Sequence, residues 1–335
     1  MLFKVFQTAL CALILLFASI ATISKPTKIP QLPQKAHTFI DYMVKHYRFD
    51  RKKLIDTLSH AKYNQEVIYK ISHPYEAKPW NVYRDYFLTE TRIQDGVNYW
   101  KVHQRVLEYA YHKYGVPPEI IVAIIGVETN YGQQVGSYCA LDALTTLAFH
   151  YKARAKFFSR ELAQFFLLAK EQQLPIFLIK SSYAGAIGIP QFIPCAYRHY
   201  AVNYSQEGSI DLMKDNNDAI VSVANFLHTH GWQKNQPIAC TLTHPKTVSR
   251  LLIFKKAKRI KTIDYLKHKG INKLISVSSS QKTALVQLQG AIGLEYWLVF
   301  PNFNVIIQYN PRTIYAMAVY QMSQAIYKQY DQEAL

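Results

Sequence analysis

Glu128 closes the most apolar helix-like run in this 335-residue chain, Pro117-Pro118-Glu119-Ile120-Ile121-Val122-Ala123-Ile124-Ile125-Gly126-Val127-Glu128-Thr129-Asn130-Tyr131-Gly132. Pro117 and Pro118 suit a first helical turn, Glu119 complements the positive end of the dipole, and Gly132 can supply a left-handed stop. At helical spacing Ile121, Ile124, Ile125 and Glu128 share one aliphatic face, which predicts a carboxyl pointing into a protein-lined space. Desolvation and the negative end of the helix dipole both disfavour its charged form there, as a general acid near neutral pH requires. The structural alternative is a helix-end glutamate that is solvated or paired with a Lys or Arg. Asp142 is the other carboxylate weighed; an Asp before Ala-Leu in a helical stretch reads as a cap or a structural pair.

The elements that must position this acid fall in a mainly α order with a smaller β part. An N-terminal helical region spans 36–114, with apolar repeats around Phe39, Tyr42, Met43 and Val44. Gly115 interrupts it. The pattern is again helical over 115–231, including Phe157 to Lys170 and Asp218 to His230, with a Gly-rich connection at Gly185 to Gly188. From 232 to 298 the runs Thr247 to Ile253, Lys261-Thr262-Ile263 and Thr283 to Leu288 predict a small β region. The segment 299–335 ends in a helix from Tyr315 to Tyr330.

Half of the residues are hydrophobic and 18% are charged, which excludes a disordered chain and allows a sizeable core. An uncharged apolar stretch from Val5 to Ile23 follows Lys4. Residues 1–21 read as a signal peptide cut after Ala21, with retention as an N-terminal anchor as the alternative. Of the remaining cysteines, Cys139, Cys195 and Cys240, most are expected to be buried small side chains, with room for one disulfide. The formal charge of +17, which becomes +16 when Lys4 leaves with the leader, calls for an anionic partner. No P-loop, zinc-finger spacing or RNA-binding aromatic signature is present, so nucleic acid gives way to cell-wall carboxylates or an anionic membrane surface.

Gly115-Val116-Pro117-Pro118-Glu119, Gly126-Val127-Glu128-Thr129-Asn130-Tyr131-Gly132, Leu141-Asp142-Ala143-Leu144 and Tyr183-Ala184-Gly185-Ala186-Ile187-Gly188 follow one another. Then come Pro190-Gln191-Phe192, Asp218-Ala219-Ile220, Pro301-Asn302-Phe303, Tyr309-Asn310 and Tyr315-Ala316-Met317-Ala318-Val319. In this order the chain resembles the B family of lytic murein transglycosylases, from about Trp80 to Tyr327. The resemblance implies a lysozyme-like helical core of the goose type, with an N-terminal helical region and a small β-containing insertion.

It also implies a reaction. Glu128 would act as acid and then as base on the bond between N-acetylmuramic acid (MurNAc) and N-acetylglucosamine (GlcNAc). The sugar's own acetamido group would assist, and its 6-hydroxyl would attack to leave a 1,6-anhydro end. Ser182, Gln191, Tyr309, Asn310 and Tyr315 resemble the family's substrate contacts, with Tyr83 as an added aromatic platform; either Tyr309 or Tyr315 could pack on a sugar or bond the carboxyl. The implied partners are peptidoglycan glycan strands, with other cell-wall enzymes as a further class, and the implied location is periplasmic or periplasm-facing at the membrane. No cofactor is required for the chemistry. Asn203-Tyr204-Ser205-Gln206-Glu207-Gly208-Ser209-Ile210-Asp211 resembles the start of the family's calcium loop, with Asn203, Ser205, Glu207, Ser209 and Asp218 as ligands. Asn203 stands where an acid is expected and Asp218 comes one position late, so bound calcium and a metal-free loop held by hydrogen bonds both stay open. A hydrolytic muramidase and a non-catalytic wall-binding scaffold are the alternative functions.

Overall fold

Asp50, Asn64 and Thr89 each turn a side-chain oxygen onto backbone N–H groups of the turn that follows, and so cut the N-terminal third into short helices. These are α1 (Gln34–Tyr47), α2 (Arg51–Ser59), α3 (Gln65–Ser72), α4 (Trp80–Phe87), α5 (Glu90–Val102) and α6 (Gln104–Tyr114). The structure, a computed structural model, describes residues 32–73, 78–242, 261–268 and 278–334. The leader and the expected run Thr247 to Ile253 lie outside them. In α1 the buried stripe is Ala36, Phe39, Ile40 and Met43. Tyr42 falls off that stripe and is exposed, and Val44 is half-buried.

Gly115 ends α6 in the left-handed region, and α7 (Pro118–Thr129) begins on Pro118 as predicted. Nine of its twelve residues are buried, so the helix is apolar on every side and belongs at the centre. There follow β1 (Tyr138–Cys139), α8 (Ala140–His150), α9 (Ala155–Glu171), β2 (Lys180–Ser181), α10 (Pro194–Tyr200) and α11 (Asn216–Thr229). The β region supplies β3 (Ala239–Thr241), β4 (Lys261–Thr262), α12 (Ile263–His268), β5 (Lys282–Gln289) and β6 (Leu294–Val299), before α13 (Pro301–Tyr309) and α14 (Thr313–Glu333). Packing crosses the boundaries read along the chain: α5, α6, α11 and α14 all lie on α7, and α14 also contacts α4, α5 and α13.

The larger sheet has the order β3-β6-β5-β4 with antiparallel neighbours. Its longest pairing runs from Ala284 opposite Val299 to Gln289 opposite Leu294. The two-residue period of a strand divides β5 between two cores. Ala284, Val286 and Leu288 join the main one, while Leu285 packs with Leu242, Ile263, Leu266, Leu298 and Phe300 in a small second one. Cys139, Cys195 and Cys240 are free and half-buried, which corrects the expectation of burial and of a disulfide. Cys139 packs against the edge of the main core and Cys240 against the second one, each partly open to solvent.

One close approach fixes the end of α7. The Tyr131 ring lies over Gly126, and its hydroxyl donates to the Arg92 carbonyl of α5 at 2.7 Å. A Cβ on Gly126 would stand 2.7 Å from that hydroxyl oxygen, and one on Gly96 only 2.6 Å from it. Gly126→Ala must therefore displace a ring already wedged between two helices, at a cost of about 1–3 kcal/mol. A lower melting temperature is the expected result; an unchanged one would mean that the ring swings aside freely.

Candidate active site

Residues 120–127 are buried and Glu128 is half-buried, so the acid sits where α7 reaches the surface of the core. The helix stops at once. Asn130, Tyr131 and Gly132 take φ values of 48°, 58° and 84°, while the Asn130 and Tyr131 N–H groups close back on Gly126 and Ile125. The left-handed stop thus starts at Asn130, two residues before the glycine read as its site, because an Asn tolerates this conformation. Thr129 Oγ1 donates to the Ile189 carbonyl at 2.9 Å and pins the stop to the loop opposite.

Glu128 opens onto a cleft of about 400 Å³. Tyr83, Tyr86 and Phe87 of α4 form one wall, with Arg92 of α5. Val127, Asn130 and Gln134 flank the acid, and Tyr183, Asn310 and Tyr315 complete the lining. The Tyr315 hydroxyl donates to Glu128 Oε1 at 2.6 Å. Burial, and then the neighbouring Glu128 carboxylate, push the phenols of Tyr315 and Tyr309 well above their ordinary value. Tyr315 therefore keeps its proton and remains the donor. Arg92 donates to the Gly126 carbonyl at 3.2 Å while its guanidinium lies 5.1 Å from the centre of the Tyr86 ring. It braces the last turn of α7.

Of the residues read as substrate contacts, Tyr83, Asn310 and Tyr315 meet Glu128 in this cleft. Tyr83 is 2% exposed, so it forms wall rather than an open platform. Ser182, Gln191 and Tyr309 are not among its lining residues, and each braces one that is or a neighbour of one. Ser182 Oγ accepts the N–H groups of Ala184 and Ala186 and shapes the turn that carries Tyr183. Gln191 Nε2 donates to the Val135 and Gly188 carbonyls, one residue beyond Gln134. Tyr309 donates to the Pro190 carbonyl at 2.6 Å and stacks parallel to Tyr315, ring centres 6.4 Å apart. It is Tyr315, not Tyr309, that bonds the carboxyl. Asp142 accepts the Lys62 N–H at 2.7 Å, the structural role expected of it.

Tyr86, Phe87, Arg92, Asn130, Gln134 and Tyr183 were not read as site residues. Their signal was modest: Tyr83, Tyr86 and Phe87 repeat at one-face helical spacing, and Tyr86 stays 48% exposed. Asn130 Oδ1 is buried without a hydrogen-bond partner among the described residues. Asn203, Ser205, Glu207, Ser209 and Asp218 belong to a separate place, the loop joining α10 to α11 and the first turn of α11.

The family described as "Transglycosylase SLT domain" matches residues 31–324. The chain belongs to this family. It is 40% identical over 301 residues to the membrane-bound lytic murein transglycosylase B of Escherichia coli K12, covering 87% of this chain and 82% of that protein. It also superimposes on E. coli lytic transglycosylase Slt35, solved with calcium, at 39% identity and a TM-score of 0.80, over 89% of this chain and 94% of that one. SltB3 of Pseudomonas aeruginosa, solved with NAG-anhNAM-pentapeptide, matches at 26% identity and a TM-score of 0.77, over 88% and 80%. The lysozyme-like helical fold and the lytic transglycosylase family implied by the motifs are both borne out.

Proposed function

We propose that this lytic transglycosylase cleaves the MurNAc-β-1,4-GlcNAc bond of peptidoglycan and leaves 1,6-anhydro-MurNAc ends. The observation that carries the reading is the cleft's composition: among the described residues that line it, Glu128 is the one carboxylate. A retaining or inverting hydrolase ordinarily works with two. With one, the remaining chemistry falls to the substrate. Glu128 gives its proton to the GlcNAc 4-oxygen as the C1–O4 bond breaks, the MurNAc acetamido group steadies the positive charge at C1, and Glu128 takes the proton of the 6-hydroxyl as the C1–O6 bond forms. No water is consumed.

The aromatic wall of Tyr83, Tyr86 and Phe87 suits sugar faces, and a sugar N–H or O–H would satisfy the orphaned Asn130 Oδ1. The SltB3 complex named above contains an anhydro sugar with its peptide, the product class proposed here. The positive charge of the chain suits the carboxylates of peptidoglycan. We place the enzyme in the envelope, facing peptidoglycan, in keeping with the name of its membrane-bound relative. No described helix is long and apolar enough to cross a membrane. Other cell-wall enzymes are proposed partners.

Purified sacculi digested with the protein and analysed by mass spectrometry should yield muropeptides one water lighter than lysozyme products. Reducing ends would make the enzyme a hydrolytic muramidase. Cosedimentation with sacculi and no release would leave a wall-binding scaffold.

A further inference from the structure

Asn203 stands where the calcium loop of this family would begin with an acid, and the hydrogen bonds around it define what the amide does there. Its Oδ1 accepts the Gln206 backbone N–H at 2.8 Å. A backbone N–H can only donate, so the atom facing it is the oxygen, and chemistry fixes the orientation of the amide. The other arm is then Nδ2. It donates to the Glu207 carbonyl at 2.8 Å and to the Gly208 carbonyl at 3.3 Å. Two carbonyls of the loop are thus held by the Asn203 amide itself.

Several of the remaining oxygens also accept backbone N–H groups. Asp218, 4% exposed, accepts the Tyr204 N–H on Oδ1 at 2.8 Å and the Asp211 N–H on Oδ2 at 2.9 Å, tying the start of the loop to its end. Asp211 Oδ1 accepts the N–H groups of Met213 and Lys214. Ser205 and Ser209 carry no charge, Ser205 Oγ takes the Glu207 N–H, and Glu207 is exposed. A calcium site needs six to eight oxygens, several of them carboxylate. The residues present do not fit that ion.

We infer that this loop is a metal-free form of the calcium turn, in which the Asn203 amide occupies the role of the cation. An aspartate at 203 would set its second oxygen against the Glu207 and Gly208 carbonyls, and the single Ser205 hydroxyl, which lies 3.1 Å from the Glu207 carbonyl and 2.8 Å from Oδ1 of residue 203, could serve only one of these acceptors. A bound cation would relieve that arrangement.

Thermal melting of the full chain in EDTA and in millimolar calcium, which fills even weak sites of this type, tests the inference. The wild type is expected to melt at the same temperature in both. Asn203→Asp is expected to melt lower than wild type in EDTA and to recover with calcium along a saturating curve. Asn203→Leu, which has neither donor nor charge, is expected to melt lower with no recovery. A saturable rise of the wild-type melting temperature with calcium would overturn the inference, as would an Asn203→Asp protein that melts alike in EDTA and calcium. Should no variant fold, the wild-type comparison alone decides.

Discussion

Glu128→Gln is expected to leave the chain folded and nearly inert on peptidoglycan. The amide keeps an oxygen to accept the Tyr315 hydroxyl, so the contact seen at 2.6 Å survives, as does the packing of α7. What it loses is the ability to deliver and retrieve a proton. General acid-base catalysis contributes roughly 10²–10⁴-fold. One group serves both halves of the proposed reaction, so the loss should lie at or beyond the upper end. Binding to sacculi should persist, because Tyr83, Asn310 and the basic surface are untouched. The measurement is release of anhydro-muropeptides by wild type and variant, alongside their melting curves. Undiminished release by a folded variant would remove Glu128 from the mechanism.

Tyr315→Phe has the second largest expected effect. The ring is buried and keeps its packing against Tyr309, while the variant loses only a hydroxyl bonded to the acid. A hydrogen bond to a charged group contributes about 1.5–3 kcal/mol, so the rate should fall by roughly 10- to 100-fold. The pH profile carries a sign as well. A phenol that donates to the carboxylate favours its charged form, so without the phenol Glu128 holds its proton to higher pH. The high-pH limb of the rate profile should move upward. Tyr309→Phe is the control: its hydroxyl goes to the Pro190 carbonyl, so that change should lower stability and leave the limb in place. A Tyr315→Phe limb that stays put, or moves down, would show that the bond does not tune the acid.

The α7 helix was legible because its signals are local. Paired prolines, an unbroken aliphatic run and a terminal acid lie within sixteen residues, and α9, α11 and α14 likewise show their own periodicity. The N-terminal third was legible only as helical. Its division into six helices depends on Asp50, Asn64 and Thr89 acting as caps, and such residues look the same in a loop. The far wall of the cleft was less visible still, since it joins residues 83–92, 128–134, 183 and 310–315, which only the tertiary fold brings together. Ser182 and Gln191 show the opposite difficulty. Their types suit sugar hydroxyls, but much of their hydrogen-bonding capacity is taken by backbone groups that no spacing reveals.

The acid and the phenol that holds it are 187 residues apart in the chain, and the phenol is on α14, the helix that also covers α7. Synthesis proceeds from the N-terminus, so Glu128 emerges long before its partner does. In that interval α7 lacks one of its flanking helices and the cleft lacks a wall. The cleft around Glu128 is therefore complete only once the last long helix has docked, and a chain still being made holds the acid before it holds the site.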